Sequence, residues 1–352
     1  MAAAMSVQIS PRLSGIDRLV LSKKIGIDLG TSRMMVYVKG EGVVVDEPAL
    51  MATDERGDRV LAVGRAAADL LLRGGKARAV RSIGEGNVVD YEVAGTMLQY
   101  LIGRIVGRQR IFRPDVMLSI PPSVGGVQRR AVLEATMQAG ARTAYLIDKP
   151  LAAAIGARLP VATTDGLLVA NLGAGSTEVA AIANGEVLAM ESIVAGGRAL
   201  DEAIAARVQA EHHLRLEPGE AERLKLQLGS ALATQPEESL EVSAVDASGR
   251  PATIAVASSC VEAAIVDSVD VMVDCVQRVL GELPAARRTS VQRNGLILTG
   301  GGARLRGLAE FFASKTGLPV RVAAQPEACI ALGTGMALDN LAVVRRGQHY
   351  IT

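Results

Sequence analysis

Three short glycine-bearing segments hold the residue types that could do chemistry in this chain: Gly30-Thr31-Ser32, Gly173-Ala174-Gly175-Ser176-Thr177 and Thr299-Gly300-Gly301-Gly302. A turn built on glycine lets several backbone N–H groups point into one concavity, which binds phosphate oxygens without a cationic side chain. Each segment follows an apolar run that reads as a strand: Ile25 to Asp28, Leu167 to Ala170, and Leu296 to Leu298. After the first two, a second apolar stretch follows, Met34 to Val38 or Val179 to Ile182, so each of these segments joins the strands of a hairpin. Taken singly, each would serve as well for an ordinary turn. Their order says more, because two hairpin turns, one per half, and a later strand-to-helix turn would enclose a nucleotide between two domains. Rival phosphate motifs fail: Gly74-Gly75-Lys76 runs on into Ala77 without the earlier P-loop glycine, and no G-x-G-x-x-G opens a helix after a strand.

The elements that must position these turns follow from composition and periodicity. The chain has 352 residues and a net charge of +1, which argues against a nucleic-acid partner, since that needs a strongly basic face. With 49% hydrophobic and 21% charged residues, the composition suits a globular protein of about two domains. Asp267, Asp270 and Asp274 interrupt the longest apolar candidates, so no spanning helix is expected. Three scattered cysteines, Cys260, Cys275 and Cys329, make no disulfide framework and no thiolate zinc site, which suits a cytoplasmic protein. His212, His213 and His349 are too few and ill-placed for a metal centre or a Ser-His-Asp triad. Helical spacing is expected over Gln128 to Ala139 and Val261 to Leu283. Strands alternating with helices, and a strand-hairpin pattern repeated midway, imply a duplicated α/β architecture.

These segments resemble the actin, heat-shock chaperone and sugar-kinase superfamily and, within it, the MreB family of bacterial cell-shape actins. The resemblance runs from Ile25 to about Leu341. It rests on IGIDLGTS (Ile25 to Ser32), VYVKGEGVVVDEPAL (Val36 to Leu50), YLIDKPLAAAIGA (Tyr145 to Ala157), NLGAGSTEVA (Asn171 to Ala180), AERLKLQLGSA (Ala221 to Ala231), LILTGGGARLRGL (Leu296 to Leu308) and CIALGTGMAL (Cys329 to Leu338). It implies a two-lobed actin-like α/β fold of duplicated ribonuclease-H-like halves, each with a smaller insertion. The expected large subdomains are 25–50 with 80–160 and 161–196 with 258–341; the insertions are 51–79 and 197–257. An amphipathic segment, 1–24, and a tail, 342–352, flank them.

The resemblance implies a site for ATP or ADP. Its nucleotide-binding positions would be Asp28, Gly30, Thr31 and Ser32 in the first hairpin, and Gly173, Gly175, Ser176 and Thr177 in the second. Gly196 and Gly197 would join them, with Glu222 and Lys225 toward ribose and base and Gly300, Gly301 and Gly302 on the adenosine side. Read without the resemblance, Glu222 and Lys225, one helical turn apart, are a solvated surface ion pair. Asp28 would orient the water shell of a magnesium ion.

The chain departs from the family pattern where hydrolysis is performed. The carboxylate that orients the attacking water is replaced by Lys149, ahead of Pro150, and an ammonium has no acceptor with which to act as a base. The Asp that completes the metal's water shell is replaced by Asn171, and Ser176 stands for a Thr used in hydrolysis. Magnesium, which favours carboxylates and waters, should be held more weakly. Arg33 and Arg198 add further positive charge. Either Lys149, with Arg33 or Arg198, takes the metal's place against a polyphosphate, or these cations pair with Asp28 and nearby acids. In both cases, efficient magnesium-dependent ATP hydrolysis is expected to be lost.

Leu13 and Ile16, with Leu19 and Val20, recur at helical spacing among basic residues, and such a segment can lie in an anionic membrane interface or pack on the protein. Ile111 and Phe112 stand among Arg108, Arg110 and Arg113 in a loop that the resemblance equates with a membrane-insertion loop. The expected protein is therefore a self-polymerising filament at the inner face of the cell membrane, contacting morphogenetic membrane proteins and determining rod shape. An ordinary ATP-hydrolysing filament and a non-polymerising adaptor of the same fold are the alternatives.

Overall fold

The chain is described by a computed structural model over residues 22–74, 76–81, 83–84, 87–88, 91–107, 113–233, 235–341 and 350–351. Two sheets dominate it, and the two have matching topology. The first uses β1 (Lys24–Leu29), β2 (Arg33–Val38), β3 (Gly42–Pro48), β4 (Asp115–Ile120) and β5 (Thr143–Asp148). The second uses β6 (Leu167–Leu172), β7 (Thr177–Ala183), β8 (Glu186–Ile193), β9 (Leu296–Thr299) and β10 (Val320–Val322). In each, an antiparallel three-strand meander is extended by parallel strands: β3-β2-β1-β4-β5 in one and β8-β7-β6-β9-β10 in the other. Tyr350–Ile351 adds a short antiparallel edge to β5.

The patterning explains which strands lie inside. β6 and β7 are buried at every position, as expected of central strands covered on both faces. β8, at the edge, alternates exposed and half-buried residues. The helices that matter for the cleft are α1 (Gly126–Gln138), α2 (Lys149–Gly156), α3 (Gly197–His212), α4 (Glu220–Leu228), α5 (Ser258–Glu282) and α6 (Cys329–Asp339). Two of them fall where helical spacing places them, α1 and α5 each beginning two or three residues earlier. Two smaller three-stranded sheets accompany the two large ones, one of Met51–Thr53 with Val60–Val63 and Arg78–Val80, the other of Arg215–Leu216 with Ser239–Val245 and Pro251–Ala257.

Each large sheet has its own apolar core. Leu168, Val179, Ile265, Met272 and Leu298 belong to one, and Ile27, Met34, Met97, Leu101 and Leu118 to the other. A third core joins the halves: Met117 and Ile147 of the first sheet pack with Val169, Ile182 and Ile297 of the second around α2 and α6. These two helices cross closely because each presents glycine at the seam. A Cβ on Gly156 would run into the Cys329 carbonyl, and one on Gly333 into the Ala152 carbonyl.

Candidate functional site

The sheet registers assemble the site. β1 ends in Asp28-Leu29 and turns back through Gly30, whose N–H donates to the Arg33 carbonyl at 2.9 Å. The second hairpin closes in the same way, Gly173 N–H to the Ser176 carbonyl at 2.9 Å. The two turns face each other across a cavity of about 570 Å³, and the third glycine turn forms part of its wall. Gly300 has φ +82° and ψ 165°, a conformation open essentially to glycine alone. A Cβ on Gly302 would lie 2.9 Å from Leu172 Cβ, so this turn lies tight against the end of β6.

Most of the expected residues meet in this cavity. Asp28, Gly30, Thr31 and Ser32 line it from one side, and Gly173, Gly175, Ser176 and Gly197 from the other. Glu222, Lys225, Gly300, Gly301, Gly302, Lys149 and Asn171 also face it. Thr177 and Gly196 stand behind the lining: the Thr177 hydroxyl donates to the Ala195 carbonyl at 2.6 Å, and Gly196 packs on the backbone of Gly173 and Ala174. Leu13, Ile16, Ile111 and Phe112 lie outside the described residues.

The charged groups sort into partnered and unpartnered. Asn171 lies opposite Glu178 across β6 and β7 and beside Thr299 of β9. Its Nδ2 donates to Glu178 at 2.6 Å, its Oδ1 accepts from Thr299 at 3.3 Å, and the Ser176 hydroxyl donates to the other Glu178 oxygen at 2.7 Å. Glu178 is thus a carboxylate only 1% exposed, satisfied by two neutral donors. Asp28 accepts from the Ser119 hydroxyl at 2.7 Å. Arg33 forms a two-pronged pair with Asp46, one arm at 2.9 Å, and so does not pair with Asp28. Arg129 holds Asp148 at 2.8 Å. Lys149 is 5% exposed and makes no hydrogen bond or ion pair among the described residues, so its expected pairing with Asp28 does not form.

On the base side, Lys225 does not pair with Glu222 as a surface bridge would. Its ammonium lies 2.7 Å from Asp201, an ion contact lacking hydrogen-bond direction, and donates to the Gly197 carbonyl at 2.9 Å. Burial raises the Asp201 pKa above the ordinary value, against the pull of Lys225. Arg304, also on the lining, grips Glu327 at 2.9 Å and holds that carboxyl below its usual range.

Sequence reasoning missed three participants. Glu178 was visible as an acid inside an otherwise apolar run, Thr177 to Ala183, a pattern that demands a partner. Arg81 was not, since it follows a short strand with no motif. Its guanidinium donates to the Thr31 carbonyl at 3.3 Å, and Arg198 donates to the same oxygen at 3.0 Å from the other half of the chain. Burial and then the adjacent Arg198 lower the Arg81 pKa, while Glu222 opposes them. Arg304 was the third, lying one residue past a quoted glycine turn and alanine.

A cleft between two sheets of repeated topology, with a glycine hairpin from each, defines an actin-like protein. MreB5 of Spiroplasma citri bound to ADP superposes with a TM-score of 0.86 at 27% identity, covering 93% of this chain and 99% of that one. The MamK double helical filament gives 0.77 at 18% identity, covering 91% and 99%, a likeness of fold alone. The family model for MreB/Mbl protein matches residues 22–346, and the chain belongs to that family. It is 34% identical over 324 residues to the cell shape-determining protein Mbl of Bacillus subtilis (strain 168), covering 92% of this chain and 97% of the relative. To the cell shape-determining protein MreB of Escherichia coli (strain K12) it is 36% identical over 334 residues, covering 92% and 95%. It is an MreB-like actin homologue.

Proposed function

We propose that this protein is a nucleotide-binding cytoskeletal scaffold of bacterial cell-shape determination, assembling into filaments of its own copies with little or no magnesium-dependent ATP hydrolysis. The observation that carries the reading is the cleft itself: two glycine hairpins and the Gly300 turn converge on one cavity, as a phosphate chain and a nucleoside require. The relatives named above are cell shape-determining proteins, and MreB5 of Spiroplasma citri is solved with ADP and with AMPPNP. The repeated sheets support a division into large subdomains 25–50 with 80–160 and 161–196 with 258–341, and insertions 51–79 and 197–257.

The lining supports weak hydrolysis. A general base needs a free acceptor within reach of the attacking water. Lys149, at the position where the family pattern has its carboxylate, has no acceptor, and the buried Glu178 already accepts a bond at each oxygen. The residues also fit magnesium poorly. The side chain at 171 is a neutral amide rather than a carboxylate, and the Lys149 ammonium lines the same cavity.

No helix among the described residues is long and apolar enough to cross a membrane. Peripheral attachment at the inner face of the membrane, through Ile111 and Phe112 and through the segment with Leu13 and Ile16, fits the basic residues beside them; many weak anchors on one filament add by avidity. Morphogenetic membrane proteins are the partners that this position would offer.

The test is negative-stain electron microscopy of the purified protein on anionic lipid, with and without Mg-ATP, alongside a phosphate-release assay. Lipid-bound filaments in both samples with background phosphate release are expected. Filaments only with Mg-ATP, with steady release, would identify an ordinary hydrolysing filament, and absence of filaments in both would identify an adaptor.

A further inference from the structure

Lys149 sits where a cation is least welcome. It is the first residue of α2, where the exposed N–H groups give the helix end a partial positive charge that repels ammonium groups. The residue is 5% exposed, its stem buried, and its ammonium opens into the cavity without a protein partner among the described residues. No carboxylate pairs with it: Asp148 is held by Arg129, Glu178 bonds to Asn171 and Ser176, Asp28 bonds to Ser119, and Glu222, on the same lining, makes no ion pair with it. Yet Lys149 lines the same cavity as both hairpin turns. A second cation repeats the arrangement. Arg198, in the first turn of α3, has no carboxylate partner among the described residues and rests on the Thr31 carbonyl of the first hairpin, beside Arg81. Arg33, by contrast, is already neutralised by Asp46.

We propose that Lys149 is a resident counter-cation for a phosphate chain, so that the cleft takes a nucleoside di- or triphosphate without a divalent metal. The inference rests on the reading of the cleft as a nucleotide site. An unpaired ammonium that opens into the same cavity as both glycine turns is an anion site whose missing component is the anion. Phosphate oxygens accept from an ammonium in charge-assisted bonds, and the phosphates then offset the helix-end repulsion of Lys149. A magnesium ion in the same place would meet the ammonium as a like charge. Asn171 fits this assignment, because its amide holds Glu178 through a neutral bond and adds no negative charge facing the phosphates.

The experiment is calorimetric titration of the full chain with ADP, ATP and inorganic pyrophosphate, in EDTA and in excess magnesium. Wild-type protein should bind ADP and ATP in EDTA within about threefold of its affinity in magnesium. Lys149→Met, which keeps the stem and removes the charge, should weaken binding of all three probes in EDTA by about tenfold or more, the loss expected of one charge-assisted bond. Lys149→Glu should bind ADP only with magnesium. Wild-type binding of nucleotide in magnesium but not in EDTA overturns the proposal while leaving the nucleotide site standing; this comparison needs no variant, so an unstable Lys149→Met does not shelter the idea. Equal affinity of wild type and a folded Lys149→Met in EDTA overturns it as well. Binding of no probe in either buffer overturns both the proposal and the nucleotide reading.

Discussion

At the level of single residues, the cleft is governed by how each polar group is satisfied. Glu178 and Asn171 are cross-strand neighbours, so the pairing of β6 with β7 puts an amide donor against a carboxylate at 2.6 Å. Lys149 lacks such a neighbour, and that is why an anion is the group that completes it. Gly300 shows the opposite case, in which the absence of a side chain is what matters. Its φ of +82° with ψ of 165° is open essentially to glycine, and a Cβ there would strike the Leu172 carbonyl. Gly300→Ala should therefore cost about 1–3 kcal/mol of stability from the backbone conformation alone. It should also abolish nucleotide binding, since the third turn would have to move out of the wall. Thermal denaturation and ADP titration of the variant check both, and a variant with wild-type melting and affinity would show the turn to be unconstrained.

Among elements, the seam between α2 and α6 decides where Lys149 stands. The Ala152-Ala153-Ala154 run, Gly156 and Gly333 leave room for the two backbones to approach closely, and Gly26 of β1 lets α6 settle on the first sheet against Thr334 and Gly335. Gly333→Ala sets two effects of opposite sign against each other. Alanine raises helix propensity by about 1 kcal/mol over glycine. The new methyl, however, meets the Ala152 carbonyl, a backbone atom that cannot turn aside as a flexible side chain would. Overpacking of this kind costs about 1–3 kcal/mol, so net destabilisation is expected, together with weaker nucleotide binding as α2 is displaced. Chemical denaturation measures the first and calorimetry the second. A stabilised Gly333→Ala would mean that the seam is looser than its geometry.

The whole molecule is two sheet-and-helix halves joined by a shared apolar core and bridged at the mouth of the cleft by Arg198 on Thr31. Its three thiols report on that integrity. Burial pushes the Cys260 thiol up to about 11, Cys275 to about 12 and Cys329 to about 11, from an ordinary value of 9.0. A group whose folded pKa is raised contributes stability that is complete below the unfolded value and is lost as pH climbs toward the folded one. Stability should hold to about pH 9 and fall steadily between about pH 9 and 12 as the unfolded thiols ionise first. Melting temperatures across that range test this, and Cys275→Ala should flatten the fall. An unchanged slope in that variant would place the alkaline loss in other groups.

The sequence alone determined, by local spacing, the strands beside the three glycine turns, the turns themselves and the helices α1 and α5, because those depend on short-range periodicity and on backbone positions that favour glycine. It also placed Lys149 and Asn171 at telling positions, through the resemblance of the segments around them. It could not determine which cations were already neutralised. Arg33 and Lys149 look alike in the sequence, yet strand pairing sets Arg33 against Asp46, while α2 carries Lys149 into a cavity where it meets no carboxylate partner among the described residues. Lys225 likewise pairs with Asp201 on α3 rather than with Glu222 on its own helix. Arg81 and Arg198 stand 117 positions apart in the chain, yet they meet on one carbonyl only when the halves close. Charge in a cleft is a property of distances between distant segments, and those distances exist only after the chain has folded.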